Sequence, residues 1–351
     1  MLDWVRLLRI DAPIIQAPMA GVSTPEMAAA VSNAGGLGSI GVGAVNAATA
    51  RKMIAAFRER SRRSLNANVF CHAPASADPM REARWIERLR PEFARFGASP
   101  PATLNEIYQS FIDDDDMLAM FLDEKPEVVS FHFGIPSRGK IDALHGAGIV
   151  LLGTATNVAE AHALVAAGID VVVAQGYEAG GHRGVFDPDA DDDCLSTMAL
   201  TRLLVHELDC PVIATGGIMD GAGIAAALRL GASAAQLGTA FIACDESLAD
   251  AGYRAALKGH AAHHTVMTRA ISGRPARCMA NRFTLLGRDI DPRDVPAYPI
   301  AYDAGKALHA AGKAKGEFGF GAQWAGQVAP LSRPMPAGDL VMLLRREIVR
   351  S

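Results

Sequence analysis

Eight short, almost continuously apolar runs alternate with alanine- and leucine-rich segments up to about residue 258, and this rhythm constrains the fold more than any single motif. The strand-like runs fall at 13–18, 36–41, 65–70, 128–133, 149–153, 170–174, 211–214 and 234–237. Helical patterns occupy 24–33, 47–60, 137–146, 158–167, 197–207 and 221–230. Thr24 and Thr156-Asn157 stand where N-caps belong, and Gly146, Gly168 and Gly231 where helices stop. Strands apolar on both faces belong to a parallel sheet covered by helices, and a count of eight favours a closed (β/α)8 barrel over an open doubly wound sheet. A chain of 351 residues, half of them hydrophobic, is long enough for one such barrel with additions.

Two segments break the rhythm. Residues 71–126 are too long for one crossover helix and contain Pro91, Pro100-Pro101 and the acidic run Asp113 to Asp116; residues 259–351 gain Pro, Gly and Arg. Both read as an added, mainly helical layer near the barrel mouth. The expected organisation is therefore a barrel from 1–70 and 127–258, with 71–126 and 259–351 forming a substrate-side layer and C-terminal extension.

Bulk properties exclude several classes. A net charge of -4 and a pI near 6.2 give no electrostatic case for nucleic acid or an anionic membrane. Five widely spaced cysteines without a CxxC fit reduced thiols and argue against structural zinc. The start, Met1-Leu2-Asp3-Trp4-Val5-Arg6, is charged where a signal peptide needs an apolar run, and no uncharged apolar stretch reaches the roughly 20 residues of a membrane span. A cytoplasmic, soluble protein is expected. No metal site is expected either: Asp187 to Asp193 lacks the glycine and closing glutamate of a calcium loop, and His263-His264 and Cys71-His72 lack further ligands.

A barrel builds its active site at the carboxyl ends of its strands. The first ends in Ala17-Pro18-Met19-Ala20-Gly21 and the third contains Asn68. The sixth runs into Gln175-Gly176-Tyr177-Glu178-Ala179-Gly180-Gly181-His182-Arg183-Gly184, one imidazole among glycines that let backbone approach a ligand. The last two end in Thr215-Gly216-Gly217 and Gln236-Leu237-Gly238-Thr239, small-residue loops whose N–H groups suit a phosphate. Asn68 and Gln175 read equally as hydrogen-bonding groups for a polar ring or as strand-end caps. Trp324 reads equally as a cofactor wall or a buried aromatic.

In combination and in order, these motifs resemble the FMN-dependent nitronate monooxygenases. The likeness extends to Tyr108, and to Tyr302 and Lys306, which sit four apart and so share one helical face. The resemblance implies FMN held by Ala17, Pro18, Met19, Asn68, Gln175, Gly180, Gly181, Gly216, Gly217, Gln236, Leu237, Gly238, Thr239 and Trp324. It implies His182 as the catalytic group, and Tyr108, Tyr302 and Lys306 as the receivers of an anionic substrate. The implied reaction oxidises alkyl nitronates of the propionate 3-nitronate type with O2 to a carbonyl product and nitrite, by way of a flavin semiquinone. The nitronate and O2 are the expected partners, with a homodimer left open. Two alternatives remain at this point: an NAD(P)H-dependent FMN reductase acting on quinones or enoyl thioesters, and a non-catalytic phosphate-binding barrel.

Overall fold

The computed structural model describes residues 7–351; the charged segment 1–6, on which the expectation about a signal peptide rests, lies outside the described residues. The strands are β1 (Ile14–Gln16), β2 (Gly38–Gly41), β3 (Leu65–Phe70), β4 (Val128–His132), β5 (Val150–Ala155), β6 (Val171–Gln175), β7 (Gly181–His182), β8 (Val212–Thr215), β9 (Ala234–Leu237), β10 (Thr265–Thr268) and β11 (Ala276–Met279). Eight of them pair in parallel in the order β1-β9-β8-β6-β5-β4-β3-β2. The ring closes where Ile15 bridges Leu37, with the Gln16 amide donating to the Leu37 carbonyl at 3.0 Å. The expected (β/α)8 TIM barrel is what the chain forms.

Capping follows the local chemistry. Thr24 accepts from the Met27 amide at 3.0 Å, Asn157 from Glu160 at 2.9 Å, and Asp114 from Met117 at 2.9 Å, each satisfying a donor left open at a helix start. Gly168 and Gly231 take positive φ of 97° and 102° at helix ends, whereas Gly146 stays helical and Gly148 makes the left-handed turn.

The barrel interior is filled at its amino end by Leu8, Ile10, Ile15, Leu37, Val128, Leu152, Val171 and Ile213. A larger apolar layer, including Ala67, Val129, Leu151 and Val172, lies between strands and helices.

The added segments share a core of their own. Trp85, Leu89, Phe93 and Leu104 from the first pack with Ile271, Phe283, Ile300 and Leu308 from the second. This layer is not helical throughout. A hairpin of β10 and β11 pairs antiparallel with β7, so the His182 segment is a short strand in a three-stranded sheet and not a free loop. The last helix, Ala337–Arg350, returns to the barrel wall beside the helices Pro25–Asn33 and Gly221–Arg229.

Candidate active site

Strand geometry decides which side chains enter the barrel mouth, because alternate residues face opposite sides. In β6, Val172 and Ala174 pack outward while Val173 and Gln175 line a cavity at the carboxyl end. The same alternation brings in Asn68 and Phe70 from β3, Ser130 and His132 from β4, Thr154 from β5, Thr215 from β8 and Gln236 from β9. Apolar side chains fill the lower barrel and polar ones its mouth. The cavity has about 1360 Å³ of empty space, its open mouth included.

Leu237 departs from the expected set for the same reason. It follows inward-facing Gln236 and therefore points outward, where it is buried between strand and helix. Its carbonyl still accepts the Ala17 amide at 2.8 Å, tying β9 to the rim Ala17-Pro18-Met19, which does line the cavity.

The glycine-histidine segment is pinned from both sides. Gln175 donates from Nε2 to the His182 carbonyl at 3.0 Å and accepts the Gly184 amide at 2.7 Å. Its amide is thus committed to the protein. Asn68 is partly committed, donating to Ser130 Oγ at 2.9 Å, while no protein group bonds the Gln236 side chain among the described residues. Close approach explains Gly180, since a Cβ there would stand 2.4 Å from the Gly326 nitrogen.

His182 is held by its ring. Nε2 lies 2.8 Å from Ser272 Oγ, and Ser272 Oγ lies 3.3 Å from the Arg274 carbonyl. Aromatic neighbours surround the imidazole: Trp324 at 5.1 Å between centroids, Tyr298 at 5.4 Å, Phe133 at 5.7 Å and Tyr302 at 6.2 Å. Burial first, then the nearby His132, Arg274 and His72, push its pKa down to about 3. The ring is neutral at physiological pH. His132 and His72 are each pushed to about 4, again chiefly by burial.

Four of the five tyrosines meet here: Tyr108, Tyr253, Tyr298 and Tyr302 all line the cavity. Burial raises the pKa of each, so all four remain neutral donors. Lys306 is not among the residues that line the cavity. Its ammonium sits 4.8 Å from the Tyr108 ring centre and 5.3 Å from that of Tyr302, on an exposed residue. Sharing a helical face with Tyr302 carries it behind the rings.

On the opposite rim, Gly216 and Gly217 have φ of 122° and 64°, and Gly238 and Thr239 follow β9. Among the described residues, no protein acceptor engages the amides of Gly216, Gly217 or Gly238. Backbone donors left open beside a cavity call for a ligand or water. Sequence reasoning missed Ser130, His132, Thr154, Phe133, Tyr253 and Tyr298. Ser130, His132 and Thr154 could have been found from strand alternation; Tyr253 and Tyr298 carry no local signal.

Known proteins match this chain along nearly its whole length. A family model described as nitronate monooxygenase matches residues 4–347. A nitronate monooxygenase of Paraburkholderia phytofirmans is 64% identical over 345 residues, covering 98% of this chain and 94% of that one. One from Pseudomonas aeruginosa is 52% identical over 347 residues, covering 98% of each. Among solved structures, a nitroalkane oxidase from Streptomyces ansochromogenes superposes with a TM-score of 0.90 at 39% identity, covering 99% of this chain and 98% of that one. FabK from Thermotoga maritima superposes at 0.75 with 28% identity, covering 100% and 96%. The chain belongs to the nitronate monooxygenase family.

Proposed function

We propose that this chain oxidises alkyl nitronates of the propionate 3-nitronate type with O2, giving a carbonyl product and nitrite, at an FMN held in the barrel mouth. The observation that carries the reading is one cavity with open glycine amides on one rim and a neutral histidine among neutral phenols on the other.

The residues present fit a flavin mononucleotide. The open amides of Gly216, Gly217 and Gly238, with the Thr239 hydroxyl, offer donors to a phosphate. A Cβ at Gly217 would stand 3.1 Å from the Glu178 Cβ, a tight approach, and the positive φ of 64° favours glycine there. Ala17, Pro18, Met19, Asn68, Gln175, Gly180, Gly181, Gln236 and Trp324 would border the rest of the cofactor, Gln175 mainly by fixing the loop. Bound flavin supplies the electron acceptor for the nitronate and the electron donor for O2.

The protein's own part is binding and orientation. Tyr108, Tyr298 and Tyr302 would donate hydrogen bonds to the anionic oxygens, because each phenol keeps its proton. His182, neutral with Nε2 tied to Ser272, would polarise the substrate or accept a proton from a neutral nitroalkane. The barrel would thus carry the cofactor, while 71–126 and 259–351 close the substrate side.

The structural likeness to FabK keeps an NAD(P)H-dependent flavin reductase as a second reading. The phenol cluster favours the nitronate. The deciding measurement is the absorption spectrum of the purified protein before and after anaerobic addition of an alkyl nitronate. A flavin spectrum that changes with nitronate and not with NADH is expected. A protein bleached by NADH and indifferent to nitronate would favour the reductase, and a colourless one that takes up no FMN a binding barrel.

A further inference from the structure

Three arginines are almost wholly buried near the site: Arg183, Arg274 and Arg277. Arg183 pairs with Asp192 at 2.7 Å. Arg277 donates to the Tyr177 carbonyl at 2.8 Å and to Thr265 Oγ1 at 3.2 Å. Arg274 is in a different position. Its Nη2 donates to the carbonyls of Val185 and Phe186, its Nε has no hydrogen-bond partner, and among the described residues no carboxylate forms an ion pair with it.

The two carboxylates nearest in influence are committed or solvated. Glu160 accepts from the Thr156 amide and hydroxyl at 2.7 Å each and from the Phe186 amide at 2.8 Å. Asp187 is exposed. A desolvated cation without a counter-ion is costly, and an anion arriving nearby recovers part of that cost. Screening is weak there, unlike at the exposed Lys306.

The guanidinium stacks 4.4 Å above the Phe133 ring centre. Phe133 lines the cavity, edge-on to His182 at 5.7 Å and to Tyr298 at 5.4 Å. One aromatic ring therefore separates the charge from the ligand space. Ser272, two residues earlier, holds the His182 ring, so the same short turn sets both groups.

Resting on the nitronate reading, we infer that Arg274 is the specificity-determining cation of the cavity, acting through Phe133 to favour anionic ligands over neutral isosteres. The lowered pKa values of His72, His132 and His182 agree, since Arg274 contributes to each, and an added anion remains the means of balancing the charge.

The test uses the flavin-loaded protein and calorimetric binding of two probes, propionate and its neutral isostere propionamide. Wild type is expected to bind propionate at least about tenfold tighter. Arg274→Met should remove most of that preference while changing propionamide affinity by less than about twofold, and Arg274→Lys should retain much of it. A purely structural role would weaken both probes alike, and that result overturns the inference. Should Arg274→Met fail to fold, Lys306→Met in a chain with Arg274 intact decides: the preference must survive. Its disappearance there, or no preference in wild type, also overturns the inference. Nitrite release from an alkyl nitronate by wild type tests the underlying reaction separately, because the binding ratios need no turnover.

Discussion

Ser272 Oγ stands 2.8 Å from His182 Nε2, and this contact sets what the imidazole can do. When the serine hydroxyl donates onward to the Arg274 carbonyl, Oγ accepts from Nε2–H and leaves Nδ1 as the lone-pair nitrogen. Ser272→Ala removes the acceptor and leaves a half-buried donor open, at a cost of about 1 kcal/mol. Turnover of neutral nitroalkanes, which need a proton removed, should fall about tenfold more than turnover of preformed nitronates. Steady-state kinetics on both substrates, at matched flavin content, checks this; equal losses would mean the contact serves folding alone.

A neutral His182 predicts a particular pH response. Because burial foremost, with His132, Arg274 and His72 nearby, lowers its pKa to about 3, the ring stays unprotonated from pH 5 upward. The kcat/KM for a preformed nitronate should show no limb near pH 6.5 due to this residue. His182→Asn should abolish nitroalkane activity and only reduce nitronate activity, the proton-removal step being the one that needs a base. An NMR titration placing the His182 ring near its ordinary pKa would remove the basis of this expectation.

Gly217 separates charge from shape. At φ 64°, asparagine and aspartate are both tolerated better than other side chains, and they match in size. Gly217→Asp sets a carboxylate against the proposed phosphate, whereas Gly217→Asn adds only bulk near Glu178. FMN affinity, read by fluorescence during reconstitution, should fall about a hundredfold further in the aspartate variant. Identical affinities in the two would place the phosphate elsewhere.

The sequence carried the barrel because its strands are buried on both faces, which leaves contiguous apolar runs that need no partner to be recognised. It carried the glycine rims for a similar reason: Gly216, Gly217 and Gly180 answer local backbone demands. The structure differs from the sequence reading where a side chain's direction matters. The resemblance implies the whole run Gln236 to Thr239, yet one residue of strand reverses the face, so the Leu237 side chain points away from the cavity. The resemblance implies Lys306 beside Tyr302, and their spacing gives a shared face but not the depth a long side chain reaches. Tyr298 and Arg274 could not be read at all, since only the folding of distant segments onto Phe133 gives them meaning. The strand β7 was invisible because two residues become a strand only through β11.

Lys306 therefore should matter less than its tyrosine neighbours. Its ammonium supports the Tyr108 and Tyr302 rings from outside, an exposed cation–π contact of about 0.5–1 kcal/mol. Lys306→Met should raise the nitronate KM about two- to threefold with kcat nearly unchanged. Tyr302→Phe removes a phenol at the cavity wall itself and should raise KM more. The reverse order in KM would mean the lysine reaches the substrate in solution.

His72 ties the site to acid stability. It is 1% exposed, among the described residues no well-formed hydrogen bond reaches either ring nitrogen, the Tyr108 backbone giving only a minor contact, and its ring meets Tyr298 edge-on at 5.0 Å. Burial foremost, with Arg274 adding, lowers its folded pKa to about 4 from the ordinary 6.5. The unfolded chain therefore takes up a proton first as pH falls. Stability from this group is fully present above about pH 6.5 and is lost progressively down to about pH 4, about 2 kcal/mol of it by pH 5. His72→Phe keeps an aromatic ring against Tyr298 and removes the proton site. Urea unfolding at pH 7 and pH 5 should show the variant losing about 2 kcal/mol less than wild type between the two values. An unchanged difference would mean that His72 titrates normally and that the pocket behind Phe133 is wetter than its packing implies.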